Sequence, residues 1–264
     1  MERRAMTVLM LFTGASSSIA WPALGLLDGA FGWRASCLLL AAFQLAVGAP
    51  FHWWLLEKRP ERPAHAGAAL LLSEGIAPAR QGIAMLVLVP SMCLSGFISW
   101  GLSVHLVELL RHLGAEHHEA IWLASLLGLL QVSSRVVDLA MGSKHSPLVT
   151  GMIASALLSS SFAIALLPSL TASPPLAFML VYGVGSGSMS LARVMLPLAL
   201  FGARSYGRAS GILSAFQNVA FASAPVVYAA LFERAGTQIV LWLSFAAGML
   251  ALLGLVALDY LRRG

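Results

Sequence analysis

Long apolar runs dominate the chain, and short segments rich in charged or turn-forming residues separate them. A helix needs about 20 mainly apolar residues to cross the hydrocarbon core of a bilayer, and several runs reach that length. None shows the two-residue alternation, over about ten residues, that strands of an outer-membrane barrel have. The pattern therefore predicts eight membrane-spanning helices, at residues 5–27, 35–56, 82–110, 119–141, 147–168, 174–200, 208–232 and 237–261.

The composition also favours a membrane protein. Of the 264 residues, 59% are hydrophobic and only 10% are charged, and the mean hydropathy is +0.84. These values lie far outside the range of soluble domains of this length. We therefore predict an all-α membrane protein, a polytopic helical bundle whose main partner is the lipid bilayer.

The distribution of positive charge predicts the orientation of the chain. The 16 Lys and Arg residues are scattered between the apolar runs rather than gathered in a patch, which argues against a nucleic-acid partner. Cytoplasmic segments of membrane proteins carry an excess of Lys and Arg. One side of the predicted topology holds eleven of these residues, and the other holds Arg34, Arg111 and Arg234. We therefore expect a multi-pass protein of the inner or plasma membrane with both termini in the cytoplasm.

A polar segment divides the predicted helices into two groups. Residues 57–81 carry four Lys and Arg side chains and three prolines, which is typical of a linker. We assign residues 1–56 to the last two helices of an N-terminal bundle and residues 82–264 to a six-helix C-terminal bundle.

A weak internal repeat relates these two groups. The first and the last predicted hairpins both join a helix rich in small residues to a second apolar helix. The first helix of each hairpin contains Pro22 or Pro225 and ends near Asp28 or Glu233. Transporters are commonly built from duplicated bundles. If the repeat holds, the first bundle has two helices where the second has six, and four helices are expected before Met1.

Three segments carry a resemblance to a known family. They are GWR at 32–34, YGVGSGSMSLARVMLPLALFGARSYGRASGILSAFQNVAFASAPVVYAALF at 182–232, and LGLLQVSSRVVDLAMGSK at 127–144. Together with the basic linker, they resemble the monocarboxylate-transporter-like branch of the major facilitator superfamily.

That resemblance implies a fold and an activity. It implies the last eight helices of a twelve-helix fold, arranged as two plus six, and secondary transport by alternating access, coupled to a proton or ion gradient. The chain departs from the family in two ways: the first four helices are missing, and the basic cluster after Asp138 is reduced to Lys144 and His145.

Arg193 is the candidate substrate-binding residue, because it is the charge placed well inside a predicted span. A guanidinium in the bilayer is costly unless it is paired or faces water. One interpretation is a cation that holds an anionic substrate, since its planar fork matches a carboxylate. The other is a side chain that snorkels to the cytoplasmic surface and braces an inner gate. Gln217 and Asn218 can line the same cavity or hydrogen-bond between helices.

Arg135 and Asp138 are the candidate gating residues. They lie three positions apart on one face at the inner end of the predicted helix 119–141, close enough to pair and to contact a neighbouring helix. In the superfamily such a pair is thought to latch the outward-facing state. We favour this gating role over contact with the substrate.

His105 and Glu108 are the candidates for proton coupling. With His112 they share one helix face, and histidine titrates near neutral pH. This group, followed by Glu116 and His117, is compatible with a metal and is the candidate for an intramembrane enzyme. Polar side chains are also common where a helix end meets lipid headgroups. We favour that interpretation and predict no metal site.

The glycines Gly183, Gly185 and Gly187 superficially resemble a phosphate-binding loop. They do not follow a predicted strand, and no Lys-Ser or Lys-Thr pair follows them, so we do not expect a nucleotide site. Small residues at this spacing predict close contact between helices instead.

The sequence therefore predicts a secondary active transporter of a small organic solute, with Arg193 favouring an anion, and neither an enzyme nor a cofactor-binding protein. The alternative is a truncated, non-transporting membrane fragment, or a chain that assembles with a partner or with further copies of itself. Two helices cannot form the wall that six supply, so a monomer would expose polar cavity surface to lipid.

Overall fold

The computed structural model describes residues 26–57, 76–141 and 146–263, and within these ranges the chain is helical with no strand. Seven of the described helices are long and apolar enough to cross a membrane. In chain order they are α1 (Leu26–Trp54), α2 (Gln81–His112), α3 (His117–Met141), α4 (Pro147–Leu166), α5 (Pro174–Gly202), α6 (Arg204–Ala235) and α7 (Thr237–Arg263).

The predicted all-α polytopic bundle is confirmed. Helices α2 to α7 begin and end within about one turn of the six predicted spans between residues 82 and 261. Single 3₁₀ turns at Pro78–Arg80 and Pro168–Leu170 precede α2 and follow α4. Nearly all of the predicted span 5–27 lies outside the described residues.

Helix α1 differs from the prediction. The sequence predicts a turn between residues 27 and 35, but the chain is helical through this stretch, and a π-helical turn at Gln44–Gly48 leads into the final α-helical segment, Ala49–Glu57. Within the stretch, Gly32 departs from helical geometry, because its φ of +75° is far from the helical value of about −63°. Glycine adopts this backbone without the steric cost that a Cβ brings.

A glycine with a similar positive φ joins α6 to α7. Gly236 has φ +80° and follows Glu233, as Gly32 follows Asp28. Gly202, with φ +71°, likewise separates α5 from α6 without a loop. A glycine with positive φ therefore follows both Asp28 and Glu233, while the internal repeat and the domain boundaries stay predictions.

Helices α4 and α5 form the centre of the described bundle. Phe162 of α4 meets Phe178 of α5 edge-on at 5.8 Å between ring centres, and Phe178 stacks on Tyr182 at 5.4 Å. The Tyr182 hydroxyl donates to the carbonyl oxygen of Ser99 in α2, at 3.2 Å. Aromatic packing and one interhelical hydrogen bond therefore tie three helices together.

Glycines bring α5 close to its neighbours, as predicted. A Cβ at Gly183 would lie 2.7 Å from Leu130 of α3, and one at Gly185 would lie 3.1 Å from the backbone nitrogen of Leu158 in α4. A Cβ at Gly187 would collide with Ser134 and with the backbone of α3. Hydrocarbon does not drive apolar helices together, so such close backbone packing is a main source of association in a bilayer.

The end of the linker is anchored to the bundle. The Ile76 amide donates to the Leu200 carbonyl of α5 at 2.8 Å, and the Arg80 guanidinium donates to the Leu261 carbonyl of α7 at 3.2 Å. Residues 58–75 of the predicted linker lie outside the described ranges.

Candidate functional site around Arg193

Arg193 lies inside α5, about 13 Å along the helix from its end at Gly202. It is surrounded in the chain by buried residues such as Ala192 and Met195. The guanidinium carbon sits 4.8 Å from the centre of the Phe221 ring in α6. This is the geometry of a cation–π contact, so the charge rests against an aromatic face within the bundle.

The hydrogen-bonding capacity of Arg193 is not met within the part of the chain that the structure describes. Its Nε atom is enclosed and has no hydrogen-bond partner there, and no carboxylate of the described ranges forms an ion pair with the guanidinium. An enclosed donor without an acceptor loses its hydration with no compensation. Arg193 Nε is therefore an unmatched donor inside the described bundle.

Helix α2 closes the other side of Phe221. Trp100 stacks on Phe221 with 5.3 Å between ring centres and an interplanar angle of 19°. Gly96, one turn earlier, faces Phe221 so closely that any Cβ would collide with the ring. We call Arg193, Phe221 and Trp100 the Arg193 site.

Sequence reasoning missed both aromatic residues of this site. Tryptophan is common where a helix meets the membrane interface, but Trp100 lies about 18 Å along α2 from His112, where the helix ends. Phe221 carries a usable signal, because it lies four residues before Pro225. Proline has no amide hydrogen, so the Phe221 carbonyl loses its normal helical donor and α6 is weakened at this level.

The structure places Gln217 and Asn218 differently. Gln217 is buried, with 4% of its surface exposed, and its amide nitrogen has no hydrogen-bond partner among the described residues. It lies one turn from Phe221 on the same face of α6. Asn218 is exposed on the surface of the described bundle. Gln217 therefore adds a second unmatched donor on the face of α6 that meets Arg193.

Arg135 and Asp138 connect α3 to two neighbours. The buried Arg135 donates from Nη2 to Ser190 of α5 at 3.0 Å, and Thr150 of α4 donates to Oδ1 of Asp138 at 3.4 Å. The predicted contact with neighbouring helices is present, while the pairing of these two side chains and their gating role stay predictions. Ser190 is three residues before Arg193, so Arg135 braces the helix that carries the site.

His105 and Glu108 have separate partners. The His105 Nε2 lies 3.2 Å from the Pro225 carbonyl, and its ring packs on Phe232 at 5.4 Å. Glu108 is half-exposed and pairs with Arg111 and His112, both at 3.4 Å. Proton coupling through this pair stays a prediction. Across residues 26–57, 76–141 and 146–263, no three His, Cys, Asp or Glu side chains are grouped as metal ligands.

Comparison with known proteins adds no relative. The sequence matches no model of a known protein family, and it matches no curated protein sequence.

Proposed function

We propose that this chain is a secondary active transporter that moves a small organic anion across the membrane by alternating access. The observation that carries the proposal is Arg193, a cation inside α5 whose Nε has no hydrogen-bond partner among the described residues. Ionisable groups inside a bilayer are rare and commonly mark a substrate or ion pathway. The resemblance to monocarboxylate-transporter-like members of the major facilitator superfamily points to the same activity.

The choice of an anion follows from the balance of donors and acceptors. Arg193 and Gln217 offer donor groups that no described residue satisfies. A carboxylate accepts hydrogen bonds from both and neutralises the guanidinium. The aromatic surfaces of Phe221 and Trp100 supply an apolar wall for the body of a small solute.

Features of α5 and α6 are consistent with helices that move against one another. Gly202 joins them through a non-helical backbone, and Pro225 interrupts the hydrogen-bond ladder of α6 beside Phe221. Discontinuous or weakened helices near the midplane are common at transporter substrate sites. We assign Arg135 and Asp138 to gating, and His105 and Glu108 remain the candidates for coupling to a proton gradient.

We also propose a cellular location and an orientation for the chain. A multi-pass membrane protein is supported by seven helices long enough to span a bilayer. The excess of Lys and Arg on one side supports the inner or plasma membrane, with both termini in the cytoplasm.

Uptake into proteoliposomes tests the proposal. The purified chain is reconstituted alone and given radiolabelled acetate, lactate and benzoate under an imposed pH gradient. Arg193→Ala is expected to abolish uptake with unchanged protein level. Arg234→Gln is the matched control, because it removes a charge at the C-terminal end of α6, and it is expected to transport normally. Equal uptake by Arg193→Ala and the wild type would show that Arg193 does not bind the transported solute.

One observation favours a second candidate, a membrane protein that acts only in an assembly. Helix α1 is little covered by the described bundle: 6% of its most apolar window is buried, and Phe31, Trp33 and Trp53 are largely exposed. Such a surface faces either lipid or other helices. Uptake by the chain reconstituted alone would exclude the need for a different partner protein, whereas uptake that appears only with a second membrane protein would favour this candidate.

A further inference from the structure

A cavity lies at the ends of α2, α5 and α6 that meet near Gly202. Its volume is about 340 Å³, within the usual range for small-molecule sites. The positive-inside count predicts this end of the bundle to be cytoplasmic. The side chains that line it include Gln81 and Met85 of α2, Phe201 of α5, and Ser205, Arg208 and Ile212 of α6.

The lining has the chemistry of an anion site. Arg208 supplies one positive charge, and none of the described residues that line the cavity is acidic. In the described ranges Arg208 forms no ion pair with a carboxylate. Gln81 and Ser205 add neutral hydrogen-bonding groups, while Met85, Phe201 and Ile212 form an apolar wall. One cation beside an apolar surface suits a small molecule with a single anionic group.

A neighbouring charge strengthens the positive field. Arg204 lies one turn before Arg208 on α6 and is exposed, as Arg208 is. Like charges at this spacing repel each other, and a bound anion relieves the repulsion. Two guanidinium groups at one mouth also raise the local concentration of anions.

The cavity and the Arg193 site are built from the same three helices. Phe201 follows Arg193 by about 12 Å along α5. We infer that the cavity at Arg208 is a second anion-binding subsite, which holds a carboxylate or phosphate group at the inner mouth of the bundle. Its place on a transport path rests on the proposed function, but anion binding at Arg208 does not.

Charge-selective labelling tests this subsite without measuring transport. Ser205→Cys places a near-isosteric thiol in the cavity, in a background where Cys37→Ala and Cys93→Ala remove the native thiols. Purified protein is treated with anionic sulfonatoethyl methanethiosulfonate and with cationic trimethylammonioethyl methanethiosulfonate. Arg208→Gln is expected to lower the ratio of anionic to cationic labelling rates by about fivefold or more, because a unit charge a few ångströms away is removed. Arg204→Gln, whose side chain does not line the cavity, should lower it less.

A bound anion should slow the labelling of the introduced cysteine, and the conditions that slow it distinguish the two sources of the anionic group. Millimolar benzoate that slows labelling only when Arg208 is present identifies a soluble carboxylate. Slower labelling in nanodiscs of phosphatidylglycerol than in phosphatidylcholine, with no effect of benzoate or inorganic phosphate, identifies a lipid headgroup. Either result supports the anion subsite.

Two controls keep the outcome interpretable. The neutral reagent methyl methanethiosulfonate should label the Arg208→Gln protein at the wild-type rate, which shows that the cavity is intact. The inference is overturned if Arg208→Gln leaves the rate ratio unchanged and no anion protects. If Arg193→Ala abolishes uptake while anions still slow labelling in the cavity at Arg208, the two sites are independent. If anions slow labelling there but the wild-type chain transports nothing, only the proposed function is rejected.

Discussion

The guanidinium carbon of Arg193 lies 4.8 Å from the centre of the Phe221 ring, so a charge of α5 is held against an aromatic face of α6. Trp100 of α2 stacks on that same ring. The consecutive helices α5 and α6 and the distant helix α2 therefore meet around one cation. We expect a movement of α6 relative to α5 to change how accessible that cation is.

The contact between these two residues predicts a specific effect of Phe221→Ala. A cation–π contact is worth about 0.5 to 2 kcal/mol, so its loss frees the guanidinium to shift and should raise the KM for an anionic solute about twofold to thirtyfold. Concentration-dependent uptake measures this change. Phe216→Ala, which removes an exposed phenylalanine from the same helix, is the matched control. An unchanged KM in Phe221→Ala would mean that the ring does not position Arg193.

Close packing between α5 and α3 predicts that Gly187→Ala destabilises the protein. The added Cβ collides with Ser134 and lies 2.7 Å from the Gln131 Cα, and backbone atoms cannot move aside locally. Overpacking of this kind costs about 1 to 3 kcal/mol. Thermal unfolding in detergent should show a lower Tm. Gly211→Ala, where a Cβ meets open space, should leave the Tm unchanged or raise it.

Arg135 is predicted to affect turnover more than binding. It donates to Ser190 in the helix that carries Arg193 but belongs to α3. Arg135→Gln should therefore lower the maximal rate of uptake while the KM stays within about twofold, as expected for a residue that acts on the conformational step. Ser190→Ala removes the same hydrogen bond but keeps the Arg135 charge, so it should have a smaller effect. A large rise in KM in Arg135→Gln would place Arg135 in the substrate site instead.

Proton coupling through His105 predicts that a His105 variant behaves differently in gradient-driven uptake and in solute exchange. His105→Gln keeps a donor for the Pro225 carbonyl but cannot take up a proton at neutral pH. Stimulation of uptake by an inward proton gradient should disappear, while exchange of labelled for unlabelled solute without a gradient should continue. Undiminished stimulation would assign His105 to bracing α6 beside its proline.

Much of the fold could be predicted because the bilayer imposes a simple rule on the sequence. Long apolar runs bounded by charged residues predict α2 to α7 closely, since a helix that satisfies its own backbone must continue until it leaves the hydrocarbon. The helical course of residues 27–35 could not be predicted, because Asp28, Gly32 and Arg34 form a cluster that is typical of a turn.

The candidate site was only partly predictable. Arg193 is conspicuous, since a charge inside an apolar run is rare. Phe221 and Trp100 are not, because one more aromatic residue in an apolar helix carries no periodic or compositional signal. The contacts of His105 were not predictable either, because its partners Pro225 and Phe232 belong to α6 and lie far away in the chain.

The charge selectivity of uptake tests the central claim most directly. Proteoliposomes containing the wild type, Arg193→Lys or Arg193→Gln are compared for radiolabelled benzoate and for benzamide, which has a similar shape and no charge. We predict that the wild type takes up benzoate and excludes benzamide, that Arg193→Lys retains weak benzoate uptake, and that Arg193→Gln loses it. Equal benzoate uptake by the wild type and Arg193→Gln would contradict the assignment of Arg193 as the residue that holds the anion.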